Sequence, residues 1–437
     1  MDGHQPDLLC YNRHSVADNG ENMFNRLQKI YDDFPKKFWV VVGTSFIDII
    51  GNTLLFPFFS LYITERFGVG MTQAGIVLGS FSAFGLVGSI IGGALTDKFG
   101  RKSLMLFGLV FSAISTLSLG LVNEFSILIP LSVVIGLLSN IAGPARQAMV
   151  ADLLPEEKRQ EGFGILRVVA NMSWIVGPTI GGFIAARSYF ALFVLDALIS
   201  CVVAVIFFLY IPETKPETTE APESILKTFS GYGTVLRDYA YVAFLVVSML
   251  MGLVYQQMYN SLSVYLRDNH GIEPRGYGFL LTISAITVIL FQFQTTRAIK
   301  KYPAFLMMAL GVFFYMIGFG MFGFVAAFWL FAAAIVVITI GEMVIMPTAS
   351  ALATNFAPED MRGRYMAVFG LSWALPATVG PSAAGLILDN YNPNLLWYVG
   401  AIICAVSVLS FYILHLWLGK CDRFNPPDPE KEAVPAT

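Results

Sequence analysis

Five ionisable side chains stand inside long apolar runs of this sequence: Asp48, Arg146, Arg167, Asp196 and Glu342. A charge at the centre of a membrane costs roughly 2.5–3.5 kcal/mol on the insertion scale, so each needs a partner or a purpose. Glu342 is the most isolated, lying well inside the run VVITIGEMVIMP with no basic residue beside it. An acid in that setting can take up and release a proton, which is what coupling to a proton gradient requires. A structural glutamate, paired with an arginine or with backbone groups, is the competing reading. Asp48 is the second candidate proton carrier. It shares a helical face with Asn52, Leu55, Phe56 and Phe59, polar at one end and aromatic beyond. Arg167, Asn171, Trp174 and Pro178 share another. Arg146 and Arg167 fall within about two turns of the end of their runs, where a long side chain can snorkel, cap a helix or pair with Asp97 or Asp152. Asp196 lies about two turns from the other end of its run and either pairs structurally or gates, the structural reading leading. Tyr255, Gln256, Gln257, Tyr259 and Asn260 form a polar-aromatic cluster that either joins helices or lines a cavity. The expected cavity lining is Asn52, Phe56, Arg167, Asn171, Trp174, Tyr255, Gln256, Tyr259, Asn260 and Trp373.

The elements that position these groups follow from composition. The chain has 437 residues, 56% hydrophobic and only 13% charged, with mean hydropathy +0.66. A soluble domain carries about 25% charged residues, and apolar runs of about 20 residues span a bilayer as helices. Spans are expected near residues 38–63, 72–97, 103–122, 126–150, 161–186 and 189–211, then 238–266, 276–297, 303–324, 327–352, 361–387 and 394–418. Helices are required because lipid leaves a free strand edge unsatisfied. Residues 1–37 precede the spans, with an amphipathic helix or a partly ordered tail at 23–34. The first apolar run begins too late and is too long for a cleaved signal. A Pro-, Glu- and Thr-rich linker occupies 212–237, with room for a short surface helix, and 419–437 form a polar tail.

Lys and Arg crowd one side of the membrane, among them Lys36, Lys37, Lys98, Arg101, Lys102, Lys158, Arg159, Arg297, Lys300, Lys301, Arg362 and Arg364. The other side holds Arg66, Arg187, Arg267 and Arg275. The crowded side is expected to be cytoplasmic, with both termini and the linker on it. That arrangement needs an even number of spans.

The chain also repeats itself. PARQAMVADLLPEEKRQEGFGILRVVANMSWIVGPTIGG, from Pro144, returns from Pro347 as PTASALATNFAPEDMRGRYMAVFGLSWALPATVGPSAAG. The offset is 203 residues throughout, and at the same offset Tyr62, Gly68 and Gly75 map to Tyr265, Gly271 and Gly278. The two halves are therefore structural copies in the same orientation.

Between the second and third spans stands Gly93-Ala-Leu-Thr-Asp97-Lys-Phe-Gly100-Arg101-Lys102. Gly93 permits close helix approach and Gly100 a turn with positive φ, while Asp97 can accept from a cation or a helix N-terminus across the seam between halves. The pattern GxLxDxxGRK resembles the signature of the major facilitator superfamily. Ser173 to Gly182 (SWIVGPTIGG) is similar to the GxxxGPxxGG motif of its drug:proton antiporter branch, with Ser173 at the first Gly place. Gly341-Glu342-Met343 followed by Pro347 looks like proton-linked multidrug efflux members, some of which carry a functional membrane carboxylate. The resemblance runs from Phe38 to about Leu418. Two positions depart from it: Ser132 stands where the fourth-span motif has Arg, and Lys300 stands at the Asp97 place of the second copy.

The resemblance implies two six-helix bundles around a central cavity, rocking between two open states. Gly93, Asp97, Gly100, Arg101 and Lys102, with Gly177, Pro178, Gly181 and Gly182, would serve that motion. The expected activity is proton-driven export of hydrophobic or amphipathic small molecules from a cell membrane, by a monomer partnered with substrate, protons and lipid bilayer. A carrier of one metabolite, nutrient or lipid is the main alternative, and a non-transporting membrane sensor a weaker one. Net charge −3 offers nothing to nucleic acid. Four scattered Cys without CxxC spacing suggest neither a metal site nor a disulfide framework. No HExxH, GxSxG or GxxxxGK[ST] motif appears, so neither an enzyme nor a cofactor is expected.

Overall fold

The computed structural model describes residue 28 and residues 31–215, 233–358 and 361–418, with residues 97 and 160 by backbone only. The segment 23–34, most of the linker and the tail lie largely outside the described residues. Among the described residues, twelve helices are long and apolar enough to cross a membrane: Lys36–Phe67, Met71–Thr96, Arg101–Leu121, Phe125–Leu153, Glu156–Ala185, Tyr189–Tyr210, Tyr239–Asn260, Pro274–Ile299, Ala304–Phe322, Phe328–Phe356, Arg362–Asn390 and Leu395–Leu418. They are the first to twelfth spans of two six-helix bundles in a polytopic all-α membrane protein. Lys36 and Leu418 mark one end of the molecule, the basic end. The other is the far end.

Three spans expected to run unbroken do not. The first is helical over Lys36–Leu55, passes through a 3-10 turn at Phe56–Phe58 and resumes over Phe59–Phe67. Pro57 lies in that turn. The seventh falls into Tyr239–Tyr255, Gln257–Asn260 and Leu262–His270. The fourth divides between Phe125–Ser139 and Ala142–Leu153. The fifth continues through Pro178 as one helix, Glu156–Ala185.

The repeat is visible in the contacts. Tyr62 donates to the Leu119 carbonyl at 3.1 Å, and Tyr265, its copy, to the Phe322 carbonyl at 2.9 Å. Gly68 and Gly271 end equivalent helices, both with φ 62. The hydroxyls of Ser60 and Ser263 meet at 3.2 Å, so equivalent residues touch where the halves join.

Aromatic and aliphatic side chains fill both bundles. Tyr62 packs on Phe193 at 4.7 Å, and Phe244 lies among Phe305, Phe356, Phe369 and Phe411. Such pairs add about 0.5–1.5 kcal/mol each beyond burial, which matters in lipid, where apolar area alone does not drive helices together.

Close approaches between the halves cluster at the far end. A Cβ on Gly75 would stand 2.5 Å from the Pro381 carbonyl, and one on Gly278 would stand 3.2 Å from the Pro178 oxygen. These are the same contact seen from each half. Thr179 and Thr282 hydroxyls meet at 2.8 Å beside it. Asp389, at the end of the eleventh span, accepts from the backbone N–H groups of Met71 and Thr72 at 2.8 and 2.7 Å. Towards the basic end, Val168, Asn171 and Met172 of the fifth span and Ile289, Phe291 and Phe293 of the eighth are exposed. The halves are sealed at the far end and splayed at the basic end.

Candidate functional site

The breaks in the first and seventh spans sit at mid-depth and turn aromatic rings into the space between the halves. Phe56 and Tyr259 are copies at the repeat offset, and Trp174 of the fifth span lies between them, its ring centroid 6.0 Å from Phe56 and 5.2 Å from Tyr259. From Tyr259 the aromatic surface continues to Tyr255 at 5.7 Å, and from Tyr255 to Trp373 at 5.9 Å and Tyr315 at 5.5 Å. The Tyr255 and Tyr259 hydroxyls meet at 3.3 Å. Phe59, placed by sequence on the face of Phe56, instead packs on Phe81 and Phe193 inside its own half, because the 3-10 turn changes the register between them.

Glu342 stands against this aromatic surface. It is half-buried, the Tyr255 hydroxyl lies against its carboxyl, and Tyr259 and Tyr315 are within electrostatic reach. Among the described residues it has no ion pair. Tyr315 was not singled out from the sequence. Its hydroxyl is buried and has no partner among the described residues. A buried hydroxyl without a partner is costly, so a group that enters beside it can satisfy it.

Asp48 is placed differently. Arg146 donates to it at 2.7 Å, joining the first and fourth spans within one half. Arg146 thus finds Asp48, and Asp152 pairs with Arg101. Asp196 is buried, accepts from the Thr116 hydroxyl at 2.8 Å and lies against Gly51, where any Cβ would meet its carboxylate at 2.5 Å. Asn52, Arg167 and Asn171 are exposed on the basic-end side of the aromatic surface, without side-chain hydrogen bonds among the described residues. Gln256 sits at the break of the seventh span and Asn260 one turn on, both likewise without a side-chain partner among them. Gln257, by contrast, is spent on its own helix, donating to the Leu253 carbonyl and accepting from Ser261.

The glycine motifs separate by role. Gly177 and Gly181 lie against Thr53 and Leu54 of the first span, inside their half. Pro178 and Gly182 face Gly278 across the seam. Gly93 has open space around it. Gly100 takes φ 90, and the helix after it begins under the Glu213 carboxylate, which accepts from the backbone N–H groups of Arg101, Lys102, Thr214 and Lys215 at 2.8–3.1 Å. Burial pushes the Glu213 pKa up, but those four donors outweigh it and hold it below the usual carboxylate value. Arg101 pairs with Asp152 at 3.0 Å and Lys102 donates to the Phe208 carbonyl at 2.8 Å. Glu213 and Asp152 were not singled out for these roles. The PET sequence at the sixth-span end was read only as the start of a linker.

Among the described residues no group of three or more His, Cys, Asp or Glu is placed to hold a metal ion. Two pseudo-symmetric bundles, a seal at one end and a polar-aromatic space at mid-depth define a membrane transporter. The chain belongs to the major facilitator superfamily, whose family model matches residues 41–273 and 246–436. It is 25% identical over 398 residues to a Na(+), Li(+), K(+)/H(+) antiporter of Planococcus maritimus, covering 84% of this chain and 91% of that one. It is 22% identical to the quinolone resistance protein NorA of Staphylococcus aureus (strain MSSA476), covering 87% and 97%. Its fold is similar to that of a POT family transporter solved in complex with 5-aminolevulinic acid, with TM-score 0.75 at 17% identity over 88% of this chain and 96% of that one.

Proposed function

We propose that the protein exports hydrophobic or amphipathic small molecules across a cell membrane in exchange for protons, with Glu342 as the proton carrier. The basic end is then cytoplasmic, and the described conformation opens inward. The observation that carries the reading is the position of Glu342: a membrane carboxyl without an ion pair among the described residues, set against Tyr255, whose ring leads through Tyr259 to Trp174 of the other half. Substrate held on the aromatic surface and a proton held on Glu342 would compete for one site, and that competition is what exchange requires. The antiporter and resistance-protein relatives support this class of activity. Asp48 is second as a carrier, because Arg146 already holds it.

The test is transport in inside-out vesicles, with a fluorescent lipophilic cation and an imposed pH gradient, comparing the protein with Glu342→Gln. Gradient-driven uptake lost in a variant that still folds and binds supports the reading. Undiminished uptake by the variant removes Glu342 from it. If the unaltered protein moves none of several such compounds but exchanges K(+) for protons, the cargo is an inorganic cation.

A further inference from the structure

Arg167 is an arginine within a membrane span that has no ion pair or hydrogen bond among the described residues. Its helix begins at Glu156, eleven residues or about 16 Å of rise away, the first six of them the polar stretch EEKRQE, so Arg167 stands within about two turns of the basic end of the apolar run. Its face of the fifth span is the one that brings Trp174 against Phe56 and Tyr259, so it points towards the same space. Asn171, one turn on, and Asn52 of the first span are exposed nearby and also lack partners among the described residues. On the opposite half, Glu342 lies fourteen residues, about 21 Å of rise, from the basic end of the tenth span. A cation on one half and an acid on the other, neither with an ion pair among the described residues, therefore stand on the basic-end side of the aromatic surface and against it, Arg167 about one turn nearer the basic end than Glu342.

We infer that Arg167 is a binding site for an anionic group of the substrate, and that the preferred cargo is a zwitterionic amphiphile. Its cationic end lies against Glu342 and the tyrosines, its flat apolar body against Trp174, and its carboxylate on Arg167 with Asn171 and Asn52 as further donors. A guanidinium suits this role because its planar fork accepts a carboxylate through two parallel hydrogen bonds. A lone cation at that depth is costly, and an anionic ligand relieves the cost. This inference rests on the exporter reading for the location of the site and adds the chemistry of what fills it.

The experiment measures binding of two dyes by fluorescence to purified protein: rhodamine B, a zwitterion at neutral pH, and its ethyl ester, which keeps the cation and lacks the carboxylate. Loss of one charge-assisted bidentate contact corresponds to roughly a tenfold or greater rise in Kd. Arg167→Gln should therefore weaken rhodamine B by about tenfold or more and leave the ester within about twofold, while Arg167→Lys recovers part of the loss. Equal weakening of both dyes would mean that Arg167 supports the site by another route, such as pairing with Glu342, and would overturn the inference. No change in either would make it a snorkelling side chain and overturn it too. If the unaltered protein binds neither dye, the exporter reading fails along with it. Ester binding alone by the unaltered protein sinks only the zwitterion.

Discussion

Asp389 gives the sharpest test of how the far end is held shut. Its two carboxylate oxygens accept from the first free N–H groups of the second span, Met71 and Thr72, at 2.8 and 2.7 Å. The acceptor belongs to one half and the donors to the other, so the bonds exist only while the far end is closed. Gly70 lies so close to the carboxylate that a side chain there would meet it. A side-chain cap contributes about 1 kcal/mol, and a carboxylate at a helix N-terminus adds about 0.3–1 kcal/mol. Asp389 is exposed, which favours the lower part of the range. Asp389→Ala should therefore weaken closure by about 1–2 kcal/mol and raise the ratio of far-end-open to far-end-closed molecules about 5- to 30-fold. Asp389→Asn keeps one acceptor and should fall between.

The assay is a spin-label distance measurement between cysteines at Arg187 and Asn392, both exposed near the far end on opposite halves. The expected outcome is growth of a longer-distance population in Asp389→Ala under conditions where the unaltered protein shows mainly the shorter one. Other cross-half contacts, among them Ser60 to Ser263, Thr179 to Thr282 and Arg267 to the Leu61 carbonyl, remain in the variant. An unchanged distance distribution, with a lowered melting temperature, would show that Asp389 stabilises the second span in every state and is no latch. That result would refute the reasoning.

Two further outcomes follow from the same geometry. Glu213 has a lowered pKa, so the stability it provides is present above the ordinary carboxylate value, about 4.3, and disappears as pH falls through its own lower value. Thermal unfolding in detergent should show Glu213→Gln less stable than the unaltered protein at pH 7 and the gap closing below about pH 4; a gap that persists in acid would disprove the assignment. Asp48→Asn leaves Arg146 without its carboxylate and should cost about 1–2 kcal/mol, since both partners retain some exposure, whereas the double swap Asp48→Arg with Arg146→Asp should recover most of it in a thermal-shift cycle; a swap no more stable than either single change would rule out pairing as the role.

The twelve spans were legible because an apolar run of sufficient length has few other solutions, and the halves because the repeat offset is unbroken from Tyr62 to Pro381. Breaks inside spans were not, since hydropathy does not register where a helix changes hand of contact within an apolar run. Pro57 was a usable signal for the first span and Pro144, which cannot donate to the Asn140 carbonyl, for the fourth, but nothing comparable marks Gln256. Missing the first break is what sent Phe59 to the wrong face. The Asp48–Arg146 pair joins residues 98 apart in the chain, and positive charge on a fourth span says nothing by itself about which acid it meets. Glu342 was legible as an isolated acid, yet its tyrosine surroundings come from the seventh and ninth spans, and only packing brings those together.

The repeat offers a way to separate frame from chemistry. Contacts that obey the offset hold the molecule together or seal it: Tyr62 and Tyr265 on their carbonyls, Ser60 on Ser263, Gly75 on Pro381 and Gly278 on Pro178. The charged residues inside the spans break it. At the same offset Asp48 becomes Met251, Arg167 becomes Gly370, and Glu342 corresponds to Ser139. A symmetric seal lets the two halves rock about a common axis, because each half presents the same surface to the other. A symmetric cavity would offer a substrate two equivalent poses and a proton two equivalent sites, with nothing to make one exclude the other. On the proposed reading, an acid on one half and, on the other, an arginine without a partner among the described residues give the cavity a direction. Substitutions at offset-obeying positions should therefore shift the balance between open states for all cargo alike, whereas those at Arg167 and Glu342 should change which cargo is bound or what it is exchanged for.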